Sequence, residues 1–148
     1  METADPAIAS LDAIAEEHEA LANLYAQILD ALQAAPGQLL PAIGLLDDLV
    51  VRLVEHFAHE EQGGYYSYVV EMAPWQASTV NELKRQHAVF LRLIVRIARV
   101  VRLANKSKHW SEAVRKDFAE FLRRIVEHEA REYRLVQEVY ILDVAAAD

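Results

Sequence analysis

A chain of 148 residues that is 53% hydrophobic and 26% charged, with only four glycines and four prolines, has the length of one domain with a real core and favours long helices over strands and turns. It has no cysteine, which excludes disulfide frameworks, thiolate zinc sites, iron–sulfur clusters and thiol nucleophiles, so any metal must be held by nitrogen and oxygen. The net charge of −8 is unevenly placed: residues 1–64 hold twelve acids against Arg52 alone, and the rest holds eleven acids against fourteen bases, so the halves are expected to pack as mutually attracting hairpins. The basic half lacks the interleaved aromatics of a nucleic-acid site, and the whole chain would repel phosphate.

The opening METADPAIAS carries Glu2 and Asp5 and lacks the basic flank and apolar core of a secretory signal, so a cytoplasmic location is expected. The most apolar run, residues 88–104, is interrupted by Arg92, Arg96, Arg99 and Arg102, and no membrane span is expected.

Apolar residues alternating three and four apart predict four amphipathic helices over roughly 7–35, 39–62, 79–105 and 111–143. The first stripe reads Leu11, Ile14, position 18, Leu21, Tyr25, Ile28 and Leu32, and Pro36-Gly37 ends it. The second follows Pro41 with Leu46, Leu49, Leu53 and positions 56 and 60, stopping at Gly63-Gly64. A tyrosine-rich connection holds Tyr65, Tyr66, Tyr68 and Pro74; then Thr79 and Glu82 have the spacing of a capping box. The third stripe is Val80, Leu83, position 87, Phe90, Ile94, Ile97 and Val101, ending in Asn105-Lys106-Ser107-Lys108. Ser111 offers an N-cap for the fourth: Val114, Phe118, Phe121, Ile125, positions 128 and 132, Leu135 and Val139. Short connections make an all-α, antiparallel up-down-up-down four-helix bundle, formed by residues 1–148 as one domain, the simplest solution.

The gaps in these stripes are filled by His18, His56, Glu60, His87, His128 and Glu132, polar groups on faces that should be apolar. Burying such a group without a partner costs roughly 2–7 kcal/mol when neutral and more when charged. From the Pro36 turn His18 lies eighteen residues back and His56 twenty forward, and from Ser107 His87 lies twenty back and His128 twenty-one forward, so at ~1.5 Å per residue all four helices deliver an imidazole to one level of the bundle. The second and fourth helices add a carboxylate four residues on, His56 to Glu60 and His128 to Glu132, on the same face and about a turn away. Four imidazoles and two carboxylates without thiolate suit an iron or manganese pair better than structural zinc, which prefers four closed ligands. A ferritin-like di-iron bundle would need Glu-x-x-His motifs, and none occurs.

A lone histidine on the first helix, HFAHEE on the second, QHAVF on the third and EHEAREY on the fourth, in this order and spacing, resemble the hemerythrin-like, or HHE cation-binding, family across nearly the whole chain. The resemblance implies two non-haem Fe ions, with His18, His56, His87 and His128 as terminal ligands, Glu60 and Glu132 as bridges and an oxo or hydroxo group as a further bridge. It also implies work with a small diatomic or peroxide ligand such as O2, nitric oxide or hydrogen peroxide.

The chain departs from the oxygen carriers at one place. They pair the ligand of the third helix with a fifth histidine four residues away, where this chain has Leu83 and Leu91. Open octahedral positions then remain, which favours reactivity or sensing over reversible carriage. His59, three residues from His56, points to the side of the seam and is expected behind the ligands or at an interface, His109 in solvent, and Glu61 on the surface. Leu21, Tyr25, Leu53, Phe90, Phe121 and Ile125 are expected to wall a dry, small pocket, while Tyr65, Tyr66 and Tyr68 pack a turn or cover the site.

Binding or sensing of O2 or nitric oxide is the leading expectation. A di-iron oxidoreductase acting on peroxide or nitric oxide is the second, and iron storage or repair the third, less favoured because the repair branch commonly adds a cysteine-containing module. The apolar breadth of the third helix, with Leu91, Leu93, Val95, Val100 and Leu103 outside its seam, suggests a homodimer face.

Overall fold

The computed structural model describes residues 6–35, 37–106 and 111–147, with the side chains of 11–35, 37–106 and 112–146. Four long helices carry the described chain: α1 (Pro6–Ala31), α2 (Leu40–Gln62), α4 (Ala77–Ala104) and α5 (Ser111–Ala147). A short helix, α3 (Tyr65–Met72), and a 3-10 turn (Pro74–Gln76) join α2 to α4, and no strand occurs among the described residues. No helix among them is long and apolar enough to cross a membrane.

The predicted stripes are the buried faces. Ile28, Leu46, Leu49, Leu53, Leu83, Ile94, Val101 and Phe118 are all at 0% exposure. Neighbouring helices meet at matched heights: Tyr25 against Phe121 and Leu32 against Arg115 for α1 and α5, Glu61 against His87 and Asp47 against Arg102 for α2 and α4, Glu82 against Arg131 and Gln86 against His128 for α4 and α5. Apart from histidine contacts, Arg102–Asp47 is the ion pair that joins the acidic half to the basic half among the described residues. The attraction anticipated from the charge split thus rests on few direct contacts.

Helix ends differ from the sequence-based expectation, each for a local reason. α1 stops at Ala31 rather than at residue 35, because the residue before a proline is driven out of the helical region; tighter bonds from Gln33 N–H to Asp30 O and Ala34 N–H to Ala31 O close the last turn. Gly37 follows at φ 88°, a conformation that favours glycine. The Leu39 N–H, orphaned at the start of α2, donates to Asn105 Oδ1 at 2.8 Å, so the end of α4 caps α2.

α4 begins at Ala77, ahead of the Thr79–Glu82 pair, and no side-chain cap forms there. Its start is fixed from outside, by Trp75 Nε1–H and Gln76 Nε2–H donating to the two carboxylate oxygens of Glu138 on α5 at 2.9 and 2.8 Å. α5 runs to Ala147 rather than to residue 143, since no glycine or proline intervenes to stop it. Ser111 is the first helical residue of α5, its side chain lies outside those described, and His109 lies outside the described residues.

The connection expected as a tyrosine-rich turn is helical instead. Gly64 at φ 93° reverses the chain, and α3 then turns Tyr65, Tyr66 and Val69 inward to at most 1% exposure. The core is consequently split in two. A large apolar cluster runs from Leu21 and Leu53 through Phe90 and Ile125 towards the α1–α2 turn. A smaller one gathers Ile14, Tyr65, Tyr66, Val69, Val80, Leu83, Leu135 and Val139 at the other end. In α1, α4 and α5 the polar gap falls between residues of these two clusters, and in α2 it lies between Leu53 and the start of α3, so α3 closes the bundle end and makes the polar layer an interior one.

Candidate metal centre

All six sequence-predicted residues converge between the two clusters. Side-chain donor atoms of His18, His56 and Glu60 form one group and those of Glu60, His87, His128 and Glu132 a second, the atoms of each lying within 4.8 Å of one another. Glu60 is common to both, and its Oε1 lies 3.3 Å from both His56 Nε2 and His87 Nε2, with its Oε2 3.9 Å from His18 Nε2. Glu132 belongs to the second group alone, its Oε1 2.6 Å from His128 Nε2. The rings pair accordingly, His18 with His56 at 4.7 Å between centroids and His87 with His128 at 5.1 Å.

The histidines are oriented from behind. His56 Nδ1–H donates to Glu17 Oε2 at 2.6 Å, His87 Nδ1–H to Glu61 Oε2 at 2.9 Å and His128 Nδ1–H to Gln86 Oε1 at 2.6 Å. Carboxylate and amide oxygens are acceptors, so each outer nitrogen carries the proton and each Nε2 turns a lone pair inward. This is the outer-shell arrangement that fixes tautomer and direction in a metal-ligating imidazole. Phe57 stacks on His87 at 4.0 Å and 7°, and Phe90 meets His128 edge-on at 5.1 Å, which locks the ring planes.

Inside the layer the polar atoms go unmatched. His18 Nε2, His128 Nε2, both oxygens of Glu60 and both of Glu132 are buried without a hydrogen-bond partner, and so is the Tyr25 hydroxyl. Native interiors pair nearly all such groups, and an unpaired one costs about 1–3 kcal/mol, more if charged. Two ionised carboxylates facing inward nitrogen lone pairs across 2.6 to 3.9 Å repel rather than bond, unless a proton or a metal cation lies among them. The donor set therefore fits a bound metal, with nitrogen and oxygen only.

The electrostatics point the same way. Burial lowers the pKa of His18 from 6.5 to about 4 and of His87 and His128 to about 3; in all three a neighbouring histidine adds to it, and Glu17 opposes it at His18. His56 is lowered too, burial outweighing the Glu17 hydrogen bond. All four imidazoles are thus neutral at pH 7, the form a metal requires. Burial holds the Glu132 carboxyl well above its usual range and pushes Glu129, beside His128, up to about 7.

A pH dependence follows for the metal-free protein. Above pH 6.5 the histidines are neutral folded or unfolded and contribute nothing; below it the unfolded chain takes up protons that the folded site refuses, at about 1.4 kcal/mol per group and pH unit. Glu132 and Glu129, whose carboxyls burial raises, oppose this in part by regaining stability as the pH drops, so the net fall between about pH 6.5 and 4 should be a few kcal/mol, readable in urea unfolding across that range. A flat profile there would mean that the imidazoles are not held neutral.

The wall residues Leu21, Tyr25, Leu53, Phe90, Phe121 and Ile125 are buried as expected. His59 is outside both donor groups: it is 62% exposed and its Nδ1 bonds the second oxygen of Glu17. Glu61 is not a free surface charge but the acceptor for His87. Sequence reasoning missed Glu17, Gln86, Phe57 and the position of Tyr66, whose hydroxyl lies 3.1 Å from His87 Nε2. A signal was present for the first two: Glu17 and Gln86 directly precede His18 and His87, yet each serves the histidine of the neighbouring helix.

A family model described as the hemerythrin HHE cation binding domain matches residues 9–139. No curated protein and no solved structure matches the chain.

Proposed function

The chain belongs to the hemerythrin HHE cation-binding family, and from that premise we propose that it is a non-haem di-iron protein that binds or senses a small oxidant, O2 or nitric oxide. The observation that carries this reading is the single layer in which four imidazoles face two carboxylates, with His18 Nε2, His128 Nε2 and both oxygens of Glu60 and of Glu132 buried without hydrogen-bond partners. His18 and His56 hold one iron; His87 and His128 hold the other. Glu60 is common to both donor groups, which supports a bridging role, and the family likeness extends that role to Glu132. The opposed heights at which the helices meet support an antiparallel up-down-up-down bundle formed by the chain as one domain.

Iron bound there supplies a redox-active Lewis acid with room for an exogenous ligand. The chain supplies the rest. Glu17, Glu61 and Gln86 keep His56, His87 and His128 in the ligating tautomer, Phe57 and Phe90 hold the ring planes and exclude water, and the buried apolar walls around the layer suit a diatomic or a peroxide. The cysteine-free chain asks for no oxidising compartment, in keeping with a cytoplasmic setting. On the outer face of α4, Leu91, Leu93 and Val100 lean on the core and Val95 and Leu103 stay exposed, a narrowed homodimer face that a monomer in sedimentation would remove.

The test is the absorption spectrum of the reduced, iron-loaded protein under O2 or nitric oxide. Binding or sensing predicts one stoichiometric spectral change per di-iron site, reversed when the gas is removed or the protein is re-reduced. Sustained consumption of peroxide or nitric oxide with a reductant would instead establish the oxidoreductase, and no spectral change with either gas would sink both.

A further inference from the structure

Tyr66 stands in the first turn of α3, 1% exposed, and its hydroxyl lies 3.1 Å from His87 Nε2. The other nitrogen of that ring is committed to Glu61, so Nε2 offers a lone pair and the phenol donates into it. A metal ion on His87 would take the same lone pair. The hydroxyl would then lose its acceptor in an interior where a stranded polar group is costly, unless its oxygen also joined the ion.

The spacing allows that. Donor atoms on adjacent corners of an octahedral ion with bonds of about 2.1 Å lie roughly 3 Å apart, and the phenol oxygen stands at that separation from the ligating nitrogen. The ring is held in place by near-parallel stacking on His87, with centroids 5.8 Å apart and planes at 20°, and by Tyr65 at 5.2 Å. Tyr65 itself is directed elsewhere, its hydroxyl to the Glu132 carbonyl at 3.5 Å. Leu83 and Leu91, a turn either side of His87, bring no donor of their own, so α3 is the element that can complete this side of the layer.

We propose that Tyr66 is a terminal metal ligand, its phenolate oxygen bound to the same ferric ion as His87. The inference rests on the di-iron reading above. As the oxygen–iron bond forms, the hydroxyl proton leaves to solvent and no oxidation state changes; a hard, anionic oxygen favours ferric over ferrous iron.

Visible absorption and resonance Raman spectra of the ferric protein, with iron counted on the same samples, test it. Wild type carrying two irons should show a phenolate-to-iron charge-transfer band with tyrosine ring modes enhanced under it. Tyr66→Phe should lose the band completely while keeping its far-UV dichroism, and Tyr65→Phe and Tyr25→Phe should keep it. Two bound irons without such a band in wild type would overturn the ligand role and leave the di-iron reading standing. A band that survives Tyr66→Phe would assign it to another tyrosine and overturn the proposal too. Should Tyr66→Phe fail to fold, ring-deuterated tyrosine must shift the enhanced modes of the wild type and the band must persist in both Tyr65→Phe and Tyr25→Phe; an unshifted band, or its loss in either variant, would overturn the proposal. Wild type that holds no iron pair would remove the di-iron reading and this inference together.

Discussion

Replacing Glu132 by leucine is expected to make the metal-free protein more stable at pH 7 by about 1–4 kcal/mol while abolishing the paired metal site. The carboxylate has no exposure, no hydrogen bond on either oxygen, and a pKa that burial holds well above 4.5. Above pH 4.5 the unfolded chain releases the Glu132 proton freely, whereas the metal-free fold must either keep it or bury a bare charge. Either choice lowers stability. Below pH 4.5 both states are protonated and the penalty fades, so the gain in Glu132→Leu should shrink as the pH drops from 7 to 4. Leucine also matches the apolar neighbours Ile125 and Leu135 in its own stripe. Urea unfolding of the metal-free wild type and variant at the two pH values measures the effect. A destabilised variant at pH 7 would mean that Glu132 is satisfied within the protein and is not waiting for a cation.

Chelation of the loaded protein is expected to lower its unfolding free energy by about 4 kcal/mol, if the free ion had stood near 1,000 times its dissociation constant. Adding the ion back should restore the loss. The source of the effect is local: the six unmatched atoms of His18, Glu60, His128 and Glu132 gain partners only when an ion binds, and the unfolded chain cannot preassemble them. The melt should lose stability without losing helix, because the apolar clusters on both sides of the layer are continuous without it. Thermal melts with and without chelator, at matched pH, read this directly. Identical melts would place the imidazoles and carboxylates in a polar layer that no metal completes.

These two results together define a site that trades stability for binding. They also explain why the site could be read from the sequence at all. A helix stripe made of Leu46, Leu49, Leu53 and then two gaps, or of Ile125, two gaps and Leu135, advertises polar residues where burial is certain, and the 3.6-residue period brings His18, His56, Glu60, His87, His128 and Glu132 to that seam without knowledge of tertiary contacts. The family likeness then follows from order and spacing.

What the sequence did not disclose depends on contacts between helices or on segments too short to carry a period. α3 has only eight residues, below the length at which a helix holds itself, and it exists because Tyr65, Tyr66 and Val69 are buried against Leu83, Leu135 and their neighbours. Tyr66 reaches His87 only because of that docking. Glu17 and Gln86 look like ordinary charged and polar neighbours of a histidine until the pairing of α1 with α2 and of α4 with α5 aims them at His56 and His128. The Thr79–Glu82 pair looked like a helix start and was bypassed, because Glu138 on α5 gathers Trp75 and Gln76 and lets the helix begin earlier.

The most direct measurement is the iron content per chain after the purified protein is reduced, reconstituted with ferrous iron and freed of loosely bound metal. Two irons per chain, falling to at most one in Glu60→Ala, is the predicted result. One iron or none in the wild-type protein, with Glu60→Ala no different, would contradict a shared carboxylate between two metal ions.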